Sequence, residues 1–259
     1  MKKTLIALLA MAGVASAATV AEINTTDTGL ITYLDFTPDA NGVFASTYGE
    51  ITFANDPTLK DGYGIISSGA TMYTTKASGA KTNAFTFSFD VRSFGKGDLL
   101  SIANSTNEWN KITLNSGDDG NLNLLFRPTN ATVDTTLDSG SSNDWTTITL
   151  VGTTVTKNNT TSTVVELYVD GTYINALNMT AQGATDWCVG SVNGFQFGND
   201  YGREGNTYEI IGTAEIDNVL LYNRALTASE VKALTVPEPT TAALSLLALA
   251  GLAARRRRK

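Results

Sequence analysis

The 259-residue sequence holds 18 basic and 25 acidic side chains, a single cysteine and no histidine. The missing histidine excludes Ser-His and Cys-His nucleophile pairs, His-ligated zinc and an imidazole general base. With Cys188 alone no intrachain disulfide can form, and its neighbours Trp187 and Val189 point to a buried small residue rather than a catalytic thiol.

In chain order, the first element is a secretory signal. Lys2 and Lys3 form its basic end, residues 4–14 its short apolar run, and Ala15-Ser16-Ala17 a small-residue cleavage site. The mature chain is therefore expected to start at Ala18. A first strand follows over residues 30–36, LITYLDF, where β-branched, aromatic and leucine side chains crowd together. Weaker strands are expected at 50–54 and 70–74, with Gly62, Gly64 and Gly69 marking turns. Residues 84–91 alternate cleanly. Phe85, Phe87, Phe89 and Val91 point to a core, while Thr86, Ser88 and Asp90 point away.

Further strands are expected at 99–103 and 109–114. A polar loop, 115–121, then leads into Leu122, Leu124 and Phe126. Residues 145–151 form another strand, with Trp145 assigned to the core. Over 164–170 Val165, Leu167 and Val169 share one face, with Glu166 and Tyr168 on the other. Asp170-Gly171 predicts a tight hairpin turn into 172–179. Residues 194–197 precede a glycine-rich loop, 198–205. Many short strands of this kind imply a β-sandwich or jelly roll.

The last strand, 216–222, is followed by a capping box. Thr227 can accept from the Glu230 amide while Glu230 reaches back, and Leu226 and Val231 are placed to staple the helix start. By simple alternation Ile216, Asn218, Leu220 and Tyr222 share one face of that strand, and Asp217, Val219 and Leu221 the other.

Ile216-Asp217-Asn218-Val219-Leu220-Leu221-Tyr222-Asn223-Arg224-Ala225-Leu226-Thr227 resembles the end of laminin-G-like, concanavalin A-like lectin/glucanase domains of bacterial surface proteins. Three internal stretches strengthen the resemblance: Phe85-Thr86-Phe87-Ser88-Phe89, Trp145 to Leu150, and Leu167-Tyr168-Val169-Asp170-Gly171. Residues 37–68 do not align with it. The resemblance implies an all-β fold, a concanavalin A-like jelly-roll sandwich of two antiparallel sheets. It also implies that Asp217 matches an aspartate that often helps to hold a structural calcium, a cation needing several oxygen ligands.

The chain closes on Val236-Pro237-Glu238-Pro239, an apolar run over 242–254 and the basic cluster 255–259. The apolar run is shorter than the ~20 residues of an ordinary spanning helix, and the basic cluster favours the cytoplasmic side. This order resembles a PEP-CTERM sorting tail, the signal read by exosortases in Gram-negative bacteria. It implies export, recognition of Pro237, Glu238 and Pro239, transient inner-membrane insertion of a short apolar sorting helix, and delivery to the cell surface or exopolysaccharide. The expected division is residues 1–17 signal peptide, 18–236 concanavalin A-like domain, and 237–259 sorting tail. Removing the seven basic residues of the two ends and Glu238 leaves 11 basic against 24 acidic side chains, a net charge of −13. Such a domain is a poor partner for nucleic acid.

Candidate chemistry is sparse. Glu215-x-Asp217 echoes the start of the Glu-x-Asp-x-x-Glu signature of family 16 glycoside hydrolases, but Leu220 stands where the third carboxylate belongs, and the pair lies on the last strand rather than a middle one. Asp90 and Glu166 could form an unrelated carboxylate pair, against the simpler reading of polar residues on an exposed sheet face. Trp109, Trp187 and Tyr201 lie in or near polar, glycine-rich loops and are the candidate sugar-stacking residues. The expected function is a non-catalytic surface module that binds extracellular polysaccharide or another partner. The alternatives are a carboxylate-dependent glycoside hydrolase or lyase of the same fold, and a structural envelope or exopolysaccharide component.

Overall fold

The computed structural model describes residues 29–36, 52–54, 58–60, 62–67, 71–74, 84–103, 111–116, 121–126, 131–138, 144–157, 160–178, 194–198 and 213–235. In chain order its strands are β1 (Leu30–Leu34), β2 (Thr52–Ala54), β3 (Thr58–Lys60), β4 (Tyr63–Ser67), β5 (Thr71–Thr74), β6 (Ala84–Arg92), β7 (Gly97–Ala103) and β8 (Lys111–Ser116). Then come β9 (Asn121–Phe126), β10 (Ala131–Asp138), β11 (Thr146–Lys157), β12 (Thr160–Val169), β13 (Thr172–Asn178), β14 (Gly194–Phe197) and β15 (Thr213–Tyr222), followed by one helix, α1 (Ala228–Thr235).

The strands form two antiparallel sheets. One has the order β13-β12-β11-β6-β15-β4-β3, with β1 also paired to β15; the other runs β10-β9-β8-β7-β14-β5-β2. The first sheet sends Phe85, Phe87, Phe89, Val91, Ile148, Leu150, Val165 and Leu167 into the core, as their alternation requires, and the second answers with Leu100, Ile102, Ile112, Leu114, Leu122, Leu124 and Phe197. Phe197 bridges the layers, its ring centroid 5.0 Å from that of Phe89 and 5.8 Å from that of Phe87. The sandwich is the fold expected from the sequence.

Two local predictions hold in detail. Asp170 and Gly171 both take positive φ, 47° and 69°, and join β12 to β13 as a two-residue turn. The Thr227 amide donates to Glu230 Oε2 at 2.7 Å, and the Glu230 amide donates to Thr227 Oγ1 at 3.3 Å, so the capping box opens α1. Leu226 and Val231 are both buried in one apolar cluster, as the staple requires.

One expected turn fails. Gly64 is not a turn but lies inside β4, paired with Leu59 on one side and Ile216 on the other. A Cβ at Gly64 would lie 2.5 Å from Phe36 Cε1, so the ring of Phe36 occupies the space a side chain would need. The glycine serves a close approach across the sheet rather than a turn.

Candidate functional site

The outer face of the first sheet, turned away from the core, carries the candidate site. β15 changes partner halfway along the edge remote from β6. Its first half, Thr213–Ile216, pairs with β4, and its second half, Val219–Tyr222, with β1. At this seam a β-bulge sets Asn218 and Val219 against β6 where regular pairing would have one residue, between the register pairs Asp217↔Asp90 and Leu220↔Ser88. Asn218 takes φ 47°, a conformation asparagine tolerates better than most residues.

The bulge resets the alternation. Ile216, Val219 and Leu221 enter the main core, whereas Leu220 and Tyr222 join a second cluster on the outer face. Simple alternation put Val219 on the same face as Asp217 and Ile216 on that of Leu220; one extra residue overturns both assignments. The second cluster also contains Leu30, Tyr33, Val151, Tyr168, Leu226 and Val231, so α1 roofs this part of the outer face. Thr86 fastens the roof. Its hydroxyl donates to the Arg224 carbonyl and accepts from the Leu226 amide, both at 2.9 Å. Arg224 lies over the Tyr222 ring at 5.5 Å and bonds Glu230 at 2.9 Å.

Beside this roof, Asp90 and Asp217 stand opposite each other on adjacent strands, 3% and 5% exposed. Asp90 accepts from Thr147 Oγ1 at 2.6 Å on one oxygen and from Asn218 Nδ2 at 2.8 Å on the other. Asp217 accepts the Asn218 amide at 2.7 Å. Burial is the largest influence on Asp217 and pushes it up to about 8; the nearby Asp90 and Asp35 charges add to this, while the Asn218 amide and Arg92 oppose it. Burial also raises Asp90, against its two hydrogen bonds. Burial raises both acids, and the Asp90 charge adds to the rise of Asp217, so both shifts favour retention of a proton in the pair. Tyr33, on β1, is raised by burial and by the same carboxylates.

One step along the same face, where Arg92 pairs with Glu215, lies a cluster of rings and cations. The Arg92 guanidinium sits 4.4 Å from the Trp145 ring centroid and 5.1 Å from that of Tyr63; the two rings meet edge to face at 5.9 Å. Trp145 leads into β11 and Tyr63 starts β4, strands separated by β6 and β15, so their backbones stand about 14 Å apart at ordinary strand spacing. Both rings must lean inward over β6 and β15 to meet. Arg92 also bonds Glu215 Oε2 at 2.5 Å, and Lys60 Nζ lies 5.6 Å from the Tyr63 ring. Trp145 is thus a half-buried outer-face residue, not the core residue expected. Its place follows from register, since Thr146 pairs with the core-facing Val91 and puts its neighbour on the opposite face.

Asp90 was expected on a solvent-facing surface; it is 3% exposed, bonded to Thr147 and Asn218 and set opposite Asp217. Asp90 and Glu166 share the face but are not brought together. Their β11 partners, Thr147 and Val151, are four residues apart, about 13 Å at the usual rise, and Glu166 accepts instead from the Tyr168 hydroxyl at 2.8 Å. Among the described residues no three acidic, cysteine or histidine side chains are grouped to hold a metal. A calcium at Asp217 would need backbone carbonyls or side chains from elsewhere. Trp109, Trp187, Tyr201, Pro237, Glu238 and Pro239 lie outside the described residues. Sequence reasoning missed Tyr63, Arg92 and Lys60. The aromatic and basic content of 60–63 was the available signal, masked by the turn reading of its glycines.

The model of the concanavalin A-like lectin/glucanases superfamily matches residues 67–232, and that of the PEP-CTERM protein-sorting motif matches 235–259. No curated protein matches the chain. Among solved structures, a botulinum neurotoxin type C chain, described in connection with cell entry and two ganglioside molecules, is similar at 15% identity and TM-score 0.54. The match covers 80% of this chain and 50% of that one. The ligand binding domain of botulinum neurotoxin serotype D in complex with N-acetylneuraminic acid gives 14% identity and TM-score 0.55, covering 80% and 50%. The serotype G binding domain gives 13% and 0.54, with the same coverage. This chain spans about half the length of these structures, and at such identities the likeness is one of fold. Among the described residues no helix is long and apolar enough to cross a membrane.

Proposed function

Because this chain belongs to the concanavalin A-like lectin/glucanases superfamily and carries a PEP-CTERM sorting motif, we propose that it is an exported, exosortase-sorted surface module that binds extracellular glycan without catalysis. The observation that carries the binding reading is the Trp145–Arg92–Tyr63 cluster with Lys60 at its side. Half-exposed rings offer apolar faces or edges to a pyranose, and the cations offer donors to its hydroxyls. The ganglioside and N-acetylneuraminic acid named for two similar structures are compatible with a carbohydrate ligand. Trp109, Trp187 and Tyr201 remain proposed sugar-stacking residues on the ground of their sequence context alone. Residues 18–236 are the proposed mature domain, 237–259 the tail that passes through the inner membrane, and the cell surface or exopolysaccharide of a Gram-negative bacterium the proposed destination.

Purified residues 18–236 on a broad glycan array, in calcium and again in EDTA, test this reading. Binding in calcium that EDTA abolishes would support a metal linked to site or fold, with Asp217 as its proposed ligand. Binding unchanged by EDTA would support the aromatic cluster alone, and none in either condition would move the function to a structural or protein-binding role.

A second reading, a carboxylate-dependent hydrolase or lyase, has one observation in its favour: Asp90 and Asp217 face each other on adjacent strands, with one raised to about 8. Release of product from a polysaccharide by the wild type, lost in Asp90→Asn and Asp217→Asn, would establish it.

A further inference from the structure

Among the described residues the large hydrophobic side chains left exposed are Tyr173, at 51%, and Ile174, at 37%. They are neighbours on β13, the edge strand of the first sheet. Their exposure is built in. The register shifts between Leu167 and Tyr168, so β13 carries Ile174 as an extra residue between the partners Tyr173 and Asn175. Such a bulge re-aims side chains at a sheet edge. Tyr173 is braced from behind, its ring centroid 5.7 Å from that of Tyr168, which belongs to the cluster beneath α1.

The same corner is where the folded domain ends. In the last turn of α1, Thr235 Oγ1 donates to the Lys232 carbonyl at 2.9 Å. A Cβ at Gly171, in the hairpin turn, would lie 2.8 Å from Thr235 Oγ1 and 2.9 Å from Lys232 Cα. The helix therefore ends against the β12–β13 turn, two residues before Tyr173. Only six residues, 236–241, separate Thr235 from the apolar run that begins at Ala242. Fully extended they span about 20 Å. A tether this short holds the hairpin close to whatever the apolar run enters.

We infer that the β12–β13 hairpin is the surface this domain turns to the lipid bilayer while its tail is inserted, with Tyr173 and Ile174 in contact with the headgroup region. The inference rests on the proposed membrane insertion of residues 242–254. Tyrosine suits that zone because its ring is apolar and its hydroxyl stays wet, and isoleucine adds apolar area. Lys232, exposed beside the turn, meets the lipid phosphates. Elsewhere among the described residues the large apolar side chains are buried or half-buried, Tyr63 and Trp145 among the latter, so Tyr173 and Ile174 are the exposed apolar pair among them.

The test uses the full chain, tail included and Cys188→Ser, reconstituted into protein-free vesicles of phosphatidylethanolamine and phosphatidylglycerol. Single cysteines at Tyr173→Cys, Ile174→Cys, Asn178→Cys and, in the tail, Ala248→Cys carry an environment-sensitive dye. Lipids with a nitroxide near the headgroup act as quencher. Asn178 is the control, exposed at the far end of the same strand. Dyes at 173 and 174 are expected to be quenched about threefold or more over 178, as interfacial contact requires. Equal quenching at 173, 174 and 178 with a strongly quenched tail dye would overturn the inference while leaving tail insertion intact. An unquenched tail dye would overturn the insertion reading and the orientation with it. Contact at 173 and 174 appearing only when the sorting machinery is co-reconstituted would assign the patch to a protein instead.

Discussion

Asp217 shows how one side chain can be legible in type and illegible in state. Its place in an Ile-Asp-x-Val pattern marked it for attention, but its proton depends on burial beneath residues far away in sequence. Free in the unfolded chain it would ionise near 3.8, whereas in the fold it holds its proton to about 8. The folded state thus binds the extra proton between these values, and stability falls as pH rises across that window. Asp90, also raised, acts in the same direction; the lowered Glu230 acts in the opposite one, with stability gained above its unfolded value. Thermal midpoints should therefore decline from about pH 4 to about pH 8, and Asp217→Asn should flatten the decline. A wild-type profile flat over that range would contradict the assignment. Thr86 offers a second check. Fully buried, it serves as donor and acceptor for the segment before α1. Thr86→Val keeps the shape and leaves the Leu226 amide unpaired, so urea unfolding should report a loss of about 2 kcal/mol. Trp145 was misplaced by its company: a tryptophan leading an apolar strand reads as core, and only register reveals that it faces outward.

Elements specified by their own neighbours were the legible ones. The Asp170-Gly171 turn and the capping box of α1 need only residues within four positions, so the sequence states them outright. Thr227→Ala removes the acceptor of the Glu230 amide and should cost about 1 kcal/mol in denaturant unfolding, with the second apolar cluster loosened because α1 is its roof. Elements specified across the sheet were hidden. β4 contains a glycine whose reason is the Phe36 ring, nearly thirty residues earlier. β10, Ala131–Asp138, is rich in threonine and aspartate and lacks the apolar alternation that announces a strand. The bulge in β15 coincides with a change of partner from β4 to β1, which no local pattern contains. It is also the feature that sets Asp217 opposite Asp90, so the acid pair stayed out of sight with it.

At the scale of the molecule, sequence patterns were enough for the sandwich and the sorting tail, because both are written in many residues at once: alternating strands for the first, a motif, an apolar run and a basic cluster for the second. Ligand binding is written in few. The proposed platform draws Tyr63 from β4, Arg92 from β6 and Trp145 from the start of β11, three segments that meet only in the fold. The claim that this platform binds glycan is tested most directly by comparing wild type and Trp145→Ala side by side on the same array, with matched thermal unfolding to confirm that both are folded. The account predicts that the wild type binds and that the variant, folded, binds its best glycan about tenfold more weakly or less. Equal binding by the two proteins would place the ligand elsewhere, and contradict it.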